Sequence, residues 1–234
     1  MSVAAQRRPD PGLRATMPAR VAMVGAGQLA RMTHQAAVSL GLELRVLAVS
    51  ESDPAVDAGA DYLLGSFEDI ADVRALANGC DVLTFDHEGV PTEHLLTLED
   101  EGLNLAPGDA AKRLAQDKLH ARRVISELGF PTPAWTHARN LGEVKAFANR
   151  HGWPIVAKAP RGGYDGRGVW MAGDVNEAGD ILESCPDGLL LEPCVAIEKE
   201  LAVMVARSTT GQRACYPVVE TVQRDALCRA IIAP

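Results

Sequence analysis

Four glycines and three cations lie close together between Lys158 and Gly168, and this stretch carries the clearest chemical pattern in the sequence. The residues are Lys158, Arg161, Gly162, Gly163, Gly166, Arg167 and Gly168. Glycine permits positive φ angles and close approach of the backbone to a ligand, and successive free N–H groups form anion-binding nests. The pattern favours a polyphosphate-binding loop. A hairpin tip with solvated charges is the alternative, because glycine is common in turns that bind nothing.

A second glycine turn, Gly25-Ala26-Gly27, follows the apolar run Val21–Val24 and precedes a helical pattern. A helix that begins after Gly27 presents partial positive charge to an anion. The spacing also matches the dinucleotide fingerprint, with Glu51 or Asp53 near the expected acidic position. An NAD(P)-dependent oxidoreductase is therefore an alternative, although this match alone is weak.

Two further polar groups lie at the ends of predicted strands. Asp86, His87 and Glu88 come directly after a predicted strand, where open α/β sheets place ligand contacts, and Glu88 is our choice among them. Glu200 begins an alternating stretch and is free to face a ligand. A solvated loop and an exposed strand end, respectively, explain the same patterns equally well.

The composition limits the classes of function. Of the 234 residues, 47% are hydrophobic and 23% are charged, as in a globular protein. A net charge of −8 argues against bulk nucleic-acid binding, which needs a basic face, but not against an anionic substrate in a locally positive pocket. Five cysteines without short paired spacing are typical of reduced thiols rather than of disulfides or a zinc site.

Residues 1–19 are polar and contain no apolar core of signal-peptide length, so we expect a disordered tail on a cytoplasmic protein. No later stretch approaches the roughly 20 apolar residues of a membrane span, so no membrane partner is expected.

The apolar pattern predicts an α/β framework for these residues. Strands and helices alternate up to Ala106, which predicts a small parallel sheet with right-handed crossovers. The predicted strands are 21–24, 44–49, 58–64, 81–85 and 103–106, and the predicted helices are 32–40, 67–77 (with Ser66 as its N-cap) and 93–101.

The rest of the chain is predicted to be a mixture of helices and hairpin strands. One long helix is expected over 110–128, followed by a stiff connector at Pro131-Thr132-Pro133. The remaining predicted helices are 141–151 and 176–184, and the predicted strands are 154–157, 169–171, 189–195 and 198–207. Period-two geometry places Glu198, Glu200, Ala202 and Met204 on one face of the last strand.

Several of these motifs, in this order, resemble the N5-carboxyaminoimidazole ribonucleotide synthetase family of purine biosynthesis, within the ATP-grasp superfamily. The motifs are Gly25–Met32, Leu83–Pro91, Arg113–Lys118, Gly129–Pro133, Arg161–Gly168, Glu200–Val203 and Tyr216–Glu220. The Gly-Gly-Tyr-Asp-Gly-Arg-Gly loop is specific by itself, and the ordered set is very specific. The likeness runs from about Arg20 to the end of the chain but corresponds to the amino-terminal two-thirds of the family.

The resemblance implies a Rossmann-like pre-ATP-grasp domain with a small open parallel sheet, followed by an incomplete ATP-grasp domain with an α+β lid. The implied parts are a disordered tail at 1–19, a substrate-binding α/β domain at 20–111, a linker helix and connector at 112–140, a lid at 141–197 and the truncated start of the carboxyl-terminal core at 198–234. The family's Mg²⁺ ligands are expected beyond Pro234.

The activity that the resemblance implies is ATP-dependent carboxylation of 5-aminoimidazole ribonucleotide by bicarbonate, through carboxyphosphate. The implied ATP-binding residues are Arg113, Lys158, Gly163, Tyr164, Asp165, Gly166, Arg167, Gly168, Val169, Glu192, Pro193, Cys194, Val195, Glu200 and Gln223. Of these, Arg113 and Lys158 would bind phosphates, Glu192 and Val195 adenine, and Glu200 the ribose.

The same resemblance assigns the reacting groups. Tyr164, Asp165 and Arg167 would be catalytic, with Asp165 as the general base. The implied substrate-binding residues are Gly27, Gln28, Leu29, Thr84 and Glu88. The implied ligands are ATP, Mg²⁺, bicarbonate and aminoimidazole ribonucleotide, in a homodimer.

The sequence also departs from the family pattern. Asp86-His87 stands where the family has glutamate and an aromatic residue, Gln223 stands near a common histidine, and Ala226 replaces a common glycine. Because the family's metal ligands are expected beyond Pro234, the third hypothesis is a non-catalytic nucleotide-binding fragment or a dimerisation partner.

Overall fold

The computed structural model describes residues 20–163, 167–224 and 227–234. The chain divides into two units between Gln116 and Asp117. Each unit has its own sheets and its own apolar core, and the two are described in turn.

The first unit is built on a parallel sheet with the strand order β3-β2-β1-β4. Its strands are β1 (Arg20–Val24), β2 (Glu43–Ala48), β3 (Asp61–Leu64) and β4 (Val82–Phe85). The predicted fifth strand at 103–106 is wrong, because Leu105 makes only an isolated bridge to Leu83. Pro107 follows directly and has no N–H group to continue a ladder.

Helices alternate with these strands and cover the sheet. They are α1 (Gln28–Leu40), α2 (Pro54–Asp57), α3 (Ile70–Ala77), α4 (Thr92–Asp100) and α5 (Asp109–Gln116). One cluster of buried side chains includes Val24, Leu76 and Leu95, and another includes Ala30 and Val46. Neighbouring residues of β1 and β2 thus contribute to separate cores, as expected of a sheet whose faces alternate along each strand.

The start of α3 differs from the prediction. The helix begins at Ile70, and Asp69 caps it by accepting a hydrogen bond from the Ala71 N–H at 2.8 Å. Ser66, the predicted N-cap, instead accepts a bond from the Glu68 N–H within the preceding turn. Both residue types can cap a helix, but Asp69 stands immediately before the first helical residue.

The second unit contains a sheet with the order β5-β8-β6-β7, in which all pairings are antiparallel. Its strands are β5 (Thr136–Ala138), β6 (Ile155–Lys158), β7 (Val169–Ala172) and β8 (Leu189–Pro193). The helices of this unit are α6 (Lys118–Glu127), α7 (Leu141–His151) and α8 (Val175–Glu183). Val144 and Phe147 of α7 pack with Ile155, Leu189 and Leu191 in the core beneath the sheet.

The predicted single helix over 110–128 is wrong. α5 ends at Gln116, and Asp117 has the extended angles φ −116° and ψ 105°. Its carboxylate accepts a hydrogen bond from the His120 N–H at 2.9 Å and so starts α6 as an N-cap. An aspartate that the sequence pattern assigns to a charged helical face is here the residue that separates two helices.

The predicted strand over 198–207 is also wrong, because it is two short strands. β9 (Glu200–Ala202) pairs with β12 (Val219–Arg224), whereas β10 (Val205–Arg207) pairs with β11 (Arg213–Cys215). Residues of both strands are exposed, so the expected contrast between two faces is not seen. β12 also pairs with β13 (Leu227–Ile232).

No helix in the described residues is both long and apolar enough to span a bilayer.

Candidate functional site

A cleft of about 440 Å³ opens in the first unit where β1 ends and α1 begins. Gly27 is the N-cap of α1, and the lining includes Gly27, Gln28 and Leu29, three of the predicted substrate-binding residues. Thr84, on β4, and the exposed Glu88 are not among the lining residues. The cleft therefore meets the positive end of a helix, which suits an anion.

Asp86 fits against the glycine turn in a way that only glycine permits. Gly25 has a φ of +106°, and a Cβ added to it would lie 1.7 Å from Asp86 Oδ1. The Asp86 side chain is 8% exposed, and its buried Oδ1 has no hydrogen-bond partner among the described residues. Burial raises its pKa above the ordinary value, against the opposing effects of His87 and of the nearby backbone of Gly27.

The loop after β4 is held by two side chains of α5. Lys112, 5% exposed, donates from Nζ to the His87 carbonyl at 2.5 Å and lies 4.5 Å from the centre of the Phe85 ring. Gln116 donates from Nε2 to the carbonyls of Glu88 and Val90. Burial lowers the pKa of Lys112.

The sequence patterns did not indicate Lys112 or Gln116 as part of the site. Their spacing of four on a helix, which puts them on one face, is the pattern that could have revealed them.

In the second unit, the glycines of the Lys158–Gly168 loop take the conformations that motivated the prediction. The φ angles of Gly162, Gly163 and Gly168 are 65°, 84° and 71°. A Cβ on Gly163 would lie 2.2 Å from the Arg167 carbonyl oxygen, so the two arms of the loop approach closely. Tyr164, Asp165 and Gly166, including the predicted general base, lie outside the described residues.

The glycine loop is joined to the start of α6. Arg161 donates from Nε and from an Nη to Asp117 Oδ2 at 3.2 and 3.1 Å, and Lys118 donates from Nζ to the Gly162 carbonyl at 3.0 Å. Burial would raise the pKa of Asp117, but the bonds from the His120 N–H and Arg161 outweigh it and lower the pKa. Arg161 is therefore engaged by a carboxylate of this unit.

A cluster of two partly buried cations around a buried carboxylate lies at the base of the loop. Lys158 Nζ is 2.5 Å from Glu192 Oε2, and Arg122 Nε donates to Glu192 Oε1. Val156 faces Glu192 across the β6–β8 ladder, which puts Lys158, two residues further, on the same face as Glu192. Burial would raise the pKa of Glu192, yet the hydrogen bonds from Arg122 and Lys158 bring it below the ordinary value.

This cluster changes how Glu192 can act. Because each carboxylate oxygen already has a cation as its partner, the Glu192 side chain is fixed within the cluster. Arg122 was missed by sequence analysis, because its partner is 70 residues away and its neighbours on α6 are also charged.

The described members of the predicted ATP-binding set lie on several elements of the two units. Lys158, Val169, Glu192 and Pro193 lie on adjacent strands of one sheet, and the exposed Cys194 and Val195 follow β8 directly. Glu200 and Gln223 are exposed residues of the separate β13-β12-β9 sheet. Arg113 is exposed on α5 and belongs to the first unit.

No group of three or more His, Cys, Asp or Glu residues suited to a metal ion occurs in the described part of the chain.

Comparisons with known proteins agree with this division of the chain. A ribonucleotide synthetase preATP-grasp domain matches residues 18–116, and an ATP-grasp domain matches residues 123–234. An N5-carboxyaminoimidazole ribonucleotide synthase of Mycobacterium bovis is 48% identical over 237 residues, which cover 100% of this chain and 55% of that protein. The chain belongs to the N5-carboxyaminoimidazole ribonucleotide synthase family. The recognition made from the motifs is confirmed.

Solved structures of this synthase family show the same fold. That of Staphylococcus aureus, complexed with ADP, has a TM-score of 0.84 at 25% identity and covers 90% of this chain and 56% of that chain. That of Aspergillus clavatus, in complex with ADP and 5-aminoimidazole ribonucleotide, has a TM-score of 0.79 at 28% identity, with 92% and 57% covered. The predicted fold class is confirmed. The chain spans about half the length of the synthases it matches.

Proposed function

We propose that this chain supplies the substrate-binding domain and part of the nucleotide-binding domain of an ATP-dependent ligase. The ligase carboxylates 5-aminoimidazole ribonucleotide with bicarbonate to N5-carboxyaminoimidazole ribonucleotide, in purine biosynthesis. The observation that carries the proposal is the 48% identity, over this whole chain, to a synthase of that name. The Aspergillus clavatus relative, whose structure holds ADP and 5-aminoimidazole ribonucleotide, supports the same pair of ligands.

In the first unit, the cleft at Gly27, Gln28 and Leu29 would hold the phosphate of the ribonucleotide. The α1 N-terminus supports this role, because its N–H groups and dipole favour an anion. Thr84 and Glu88 would contact the sugar or the ring as the ligand extends past the cleft. The Lys112 and Gln116 bonds would keep the Glu88 loop in one place.

In the second unit, Lys158 and the glycine loop would bind the nucleotide phosphates. Phosphoryl transfer depends mainly on positioning and on charge neutralisation, and the loop offers backbone N–H groups next to a lysine. The ATP-binding set remains the one proposed from the motifs: Arg113, Lys158, Gly163, Tyr164, Asp165, Gly166, Arg167, Gly168, Val169, Glu192, Pro193, Cys194, Val195, Glu200 and Gln223.

The proposed chemistry has three steps. Bicarbonate oxygen attacks the γ-phosphorus of ATP, and ADP leaves to give carboxyphosphate. Carboxyphosphate then releases phosphate and CO₂, and the exocyclic amine of the ribonucleotide attacks that carbon. Asp165 would take the proton that the amine loses, with Tyr164 and Arg167 beside it. Closure of the glycine loop would exclude water, which competes for carboxyphosphate.

Four further properties belong to the proposal. The domains would be 20–111, 112–140, 141–197 and 198–234, and the complete enzyme would be a cytoplasmic homodimer. Magnesium would accompany ATP. The described residues offer no cluster that fits a metal ion, so no step is assigned here to a metal held by them.

The nucleotide part of the proposal is tested by thermal shift and calorimetry with ADP and NADH. We expect ADP to stabilise the chain, because a ligand that binds only the folded state raises its stability. Lys158→Ala should weaken ADP binding, whereas Lys145→Ala, at an exposed position of α7, should not. Stabilisation by NADH with none by ADP would instead favour the oxidoreductase alternative.

Turnover separates the ligase from a non-catalytic nucleotide-binding fragment. ADP release is measured with ATP, bicarbonate and 5-aminoimidazole ribonucleotide, omitting each substrate in turn. Release that requires all three substrates would exclude the fragment hypothesis for this chain. ADP binding without such release would favour it.

A further inference from the structure

Three charged side chains from three different elements meet at one buried carboxylate in the second unit. Glu192, on β8, is 4% exposed, and each of its oxygens has its own cation. Lys158 comes from β6 in the same sheet, and Arg122 comes from α6. An isolated carboxylate of this burial would be costly, so at least one cation is needed to hold it.

One cation is enough to balance the charge of the Glu192 carboxylate, so the second cation is in excess. Two positive charges against one negative charge leave this cluster with a net charge of +1. If Arg122 were absent, Glu192 and Lys158 would form a one-to-one pair with no net charge. In surroundings of low dielectric constant, the partner of a lysine decides how strongly that lysine attracts a further anion.

We propose that Arg122 is a positioning residue of the nucleotide site. Arg122 and Lys158 both pair with Glu192, so Arg122 neutralises part of the carboxylate charge and leaves the Lys158 charge available to a phosphate oxygen. This inference rests on the proposed binding of nucleotide phosphates at Lys158. It assigns Arg122 and Glu192 to the control of one lysine's charge and geometry, rather than to contact with the base.

A merely structural role for Arg122 makes a different prediction. If Arg122 only fastens α6 to the sheet, its loss weakens the fold, and removal of the Glu192 charge cannot repair the damage. If Arg122 acts by neutralising Glu192, removal of the Glu192 charge restores the ADP affinity that is lost with Arg122. A double-mutant cycle separates the two, because it measures the coupling of neighbouring residues.

The experiment measures ADP affinity by calorimetry in the full chain and in Arg122→Ala, Arg122→Lys, Glu192→Gln and the double variant Arg122→Ala/Glu192→Gln. Arg122→Ala should weaken ADP binding about tenfold, equivalent to about 1.4 kcal/mol. Arg122→Lys should stay within about threefold, because it keeps the charge but loses the guanidinium geometry. The matched control is Arg123→Ala, at an exposed position of the same helix, which should not change the affinity.

The Glu192 variants decide the mechanism. Glu192→Gln alone should bind ADP more tightly than the unmodified chain, by a factor of about three or more, because both cations then lack a carboxylate partner. In that background, Arg122→Ala should cost less than about threefold. This single variant also keeps the test decisive if Arg122→Ala does not fold.

Three outcomes would overturn the inference. They are unchanged ADP affinity in Arg122→Ala, a double variant as weak as Arg122→Ala, and weaker binding in Glu192→Gln. Each of them leaves nucleotide binding by the unmodified chain intact. Absence of ADP binding by the unmodified chain would instead refute the proposed nucleotide site, and this inference with it.

Discussion

Replacing Gly25 by alanine tests how the first unit forms its cleft. At a φ of +106°, an L-residue is strained, by about 1–2 kcal/mol if the left-handed helical region is taken as a guide. The new Cβ would also overlap the Asp86 carboxylate, with separations of 1.7 Å from Oδ1, 2.4 Å from Cγ and 2.7 Å from Oδ2. Overpacking of this kind costs about 1–3 kcal/mol. We therefore expect a loss of about 2–5 kcal/mol in the free energy of unfolding of this unit.

A control and a second variant separate the two contributions. Gly59 has a φ of +89°, and nothing lies within 4 Å of the position that a Cβ would take there, so Gly59→Ala should show the backbone cost alone. Asp86→Ala removes all three overlapping atoms. The double variant Gly25→Ala/Asp86→Ala should therefore lose about 1–3 kcal/mol less than the sum of its single variants.

The assay is urea unfolding followed by two probes. Circular dichroism reports helices in both units, whereas Trp135, Trp153 and Trp170 all lie in the second unit, so their fluorescence monitors that unit alone. We expect Gly25→Ala to shift the unfolding of the first unit, which circular dichroism detects and tryptophan fluorescence does not. Equal losses for Gly25→Ala and Gly59→Ala, or strict additivity with Asp86→Ala, would refute the steric explanation.

Three further predictions follow from the capping, burial and charge of single residues. Asp69→Ala should cost the first unit about 1 kcal/mol in urea unfolding through loss of the α3 N-cap, whereas Ser66→Ala should change it by less than about 0.5 kcal/mol. Lys112→Met leaves a backbone carbonyl without its donor, so it should cost about 1–3 kcal/mol, whereas the exposed Arg113→Met should cost less than about 0.5 kcal/mol in the same assay. Because the pKa of Glu192 is lower in the folded state, its ionisation stabilises the second unit at pH values above the ordinary pKa of 4.5, and this stabilisation is lost as the pH falls through the folded-state pKa. Urea unfolding followed by tryptophan fluorescence should therefore show destabilisation in acid, and Glu192→Gln should reduce it.

The local patterns of the chain could be predicted from sequence because each is decided by neighbouring residues. The β1–turn–α1 segment follows from an apolar run, two glycines and an amphipathic stretch ending at Gly41, which has a φ of 71°. The β6–β7 hairpin follows from two apolar runs on either side of a glycine loop. In both cases, the residues that determine the structure lie within a few positions of it.

The errors occurred where the determining partner lies elsewhere in the chain. Whether 198–207 is one strand or two depends on β11 and β12, which supply different ladders for its two halves. α6 contains two adjacent arginines: Arg122, which reaches Glu192, and Arg123, which is exposed. The sequence does not show which of them meets a buried carboxylate, because that partner is 70 residues away and no residue of α6 is buried to mark its inner face.

Glu192 and Asp86 show how the fold separates two acids whose sequence contexts look alike. Each follows an apolar strand or stands near the end of one, and each is almost fully buried. Cations on both oxygens lower the pKa of Glu192, so it is held as an anion between Arg122 and Lys158. Burial raises the pKa of Asp86, which lies against the glycine turn at Gly25 and whose Oδ1 has no hydrogen-bond partner among the described residues. The pKa values of two carboxylates at strand ends are therefore shifted in opposite directions, according to whether the fold places cations against both oxygens.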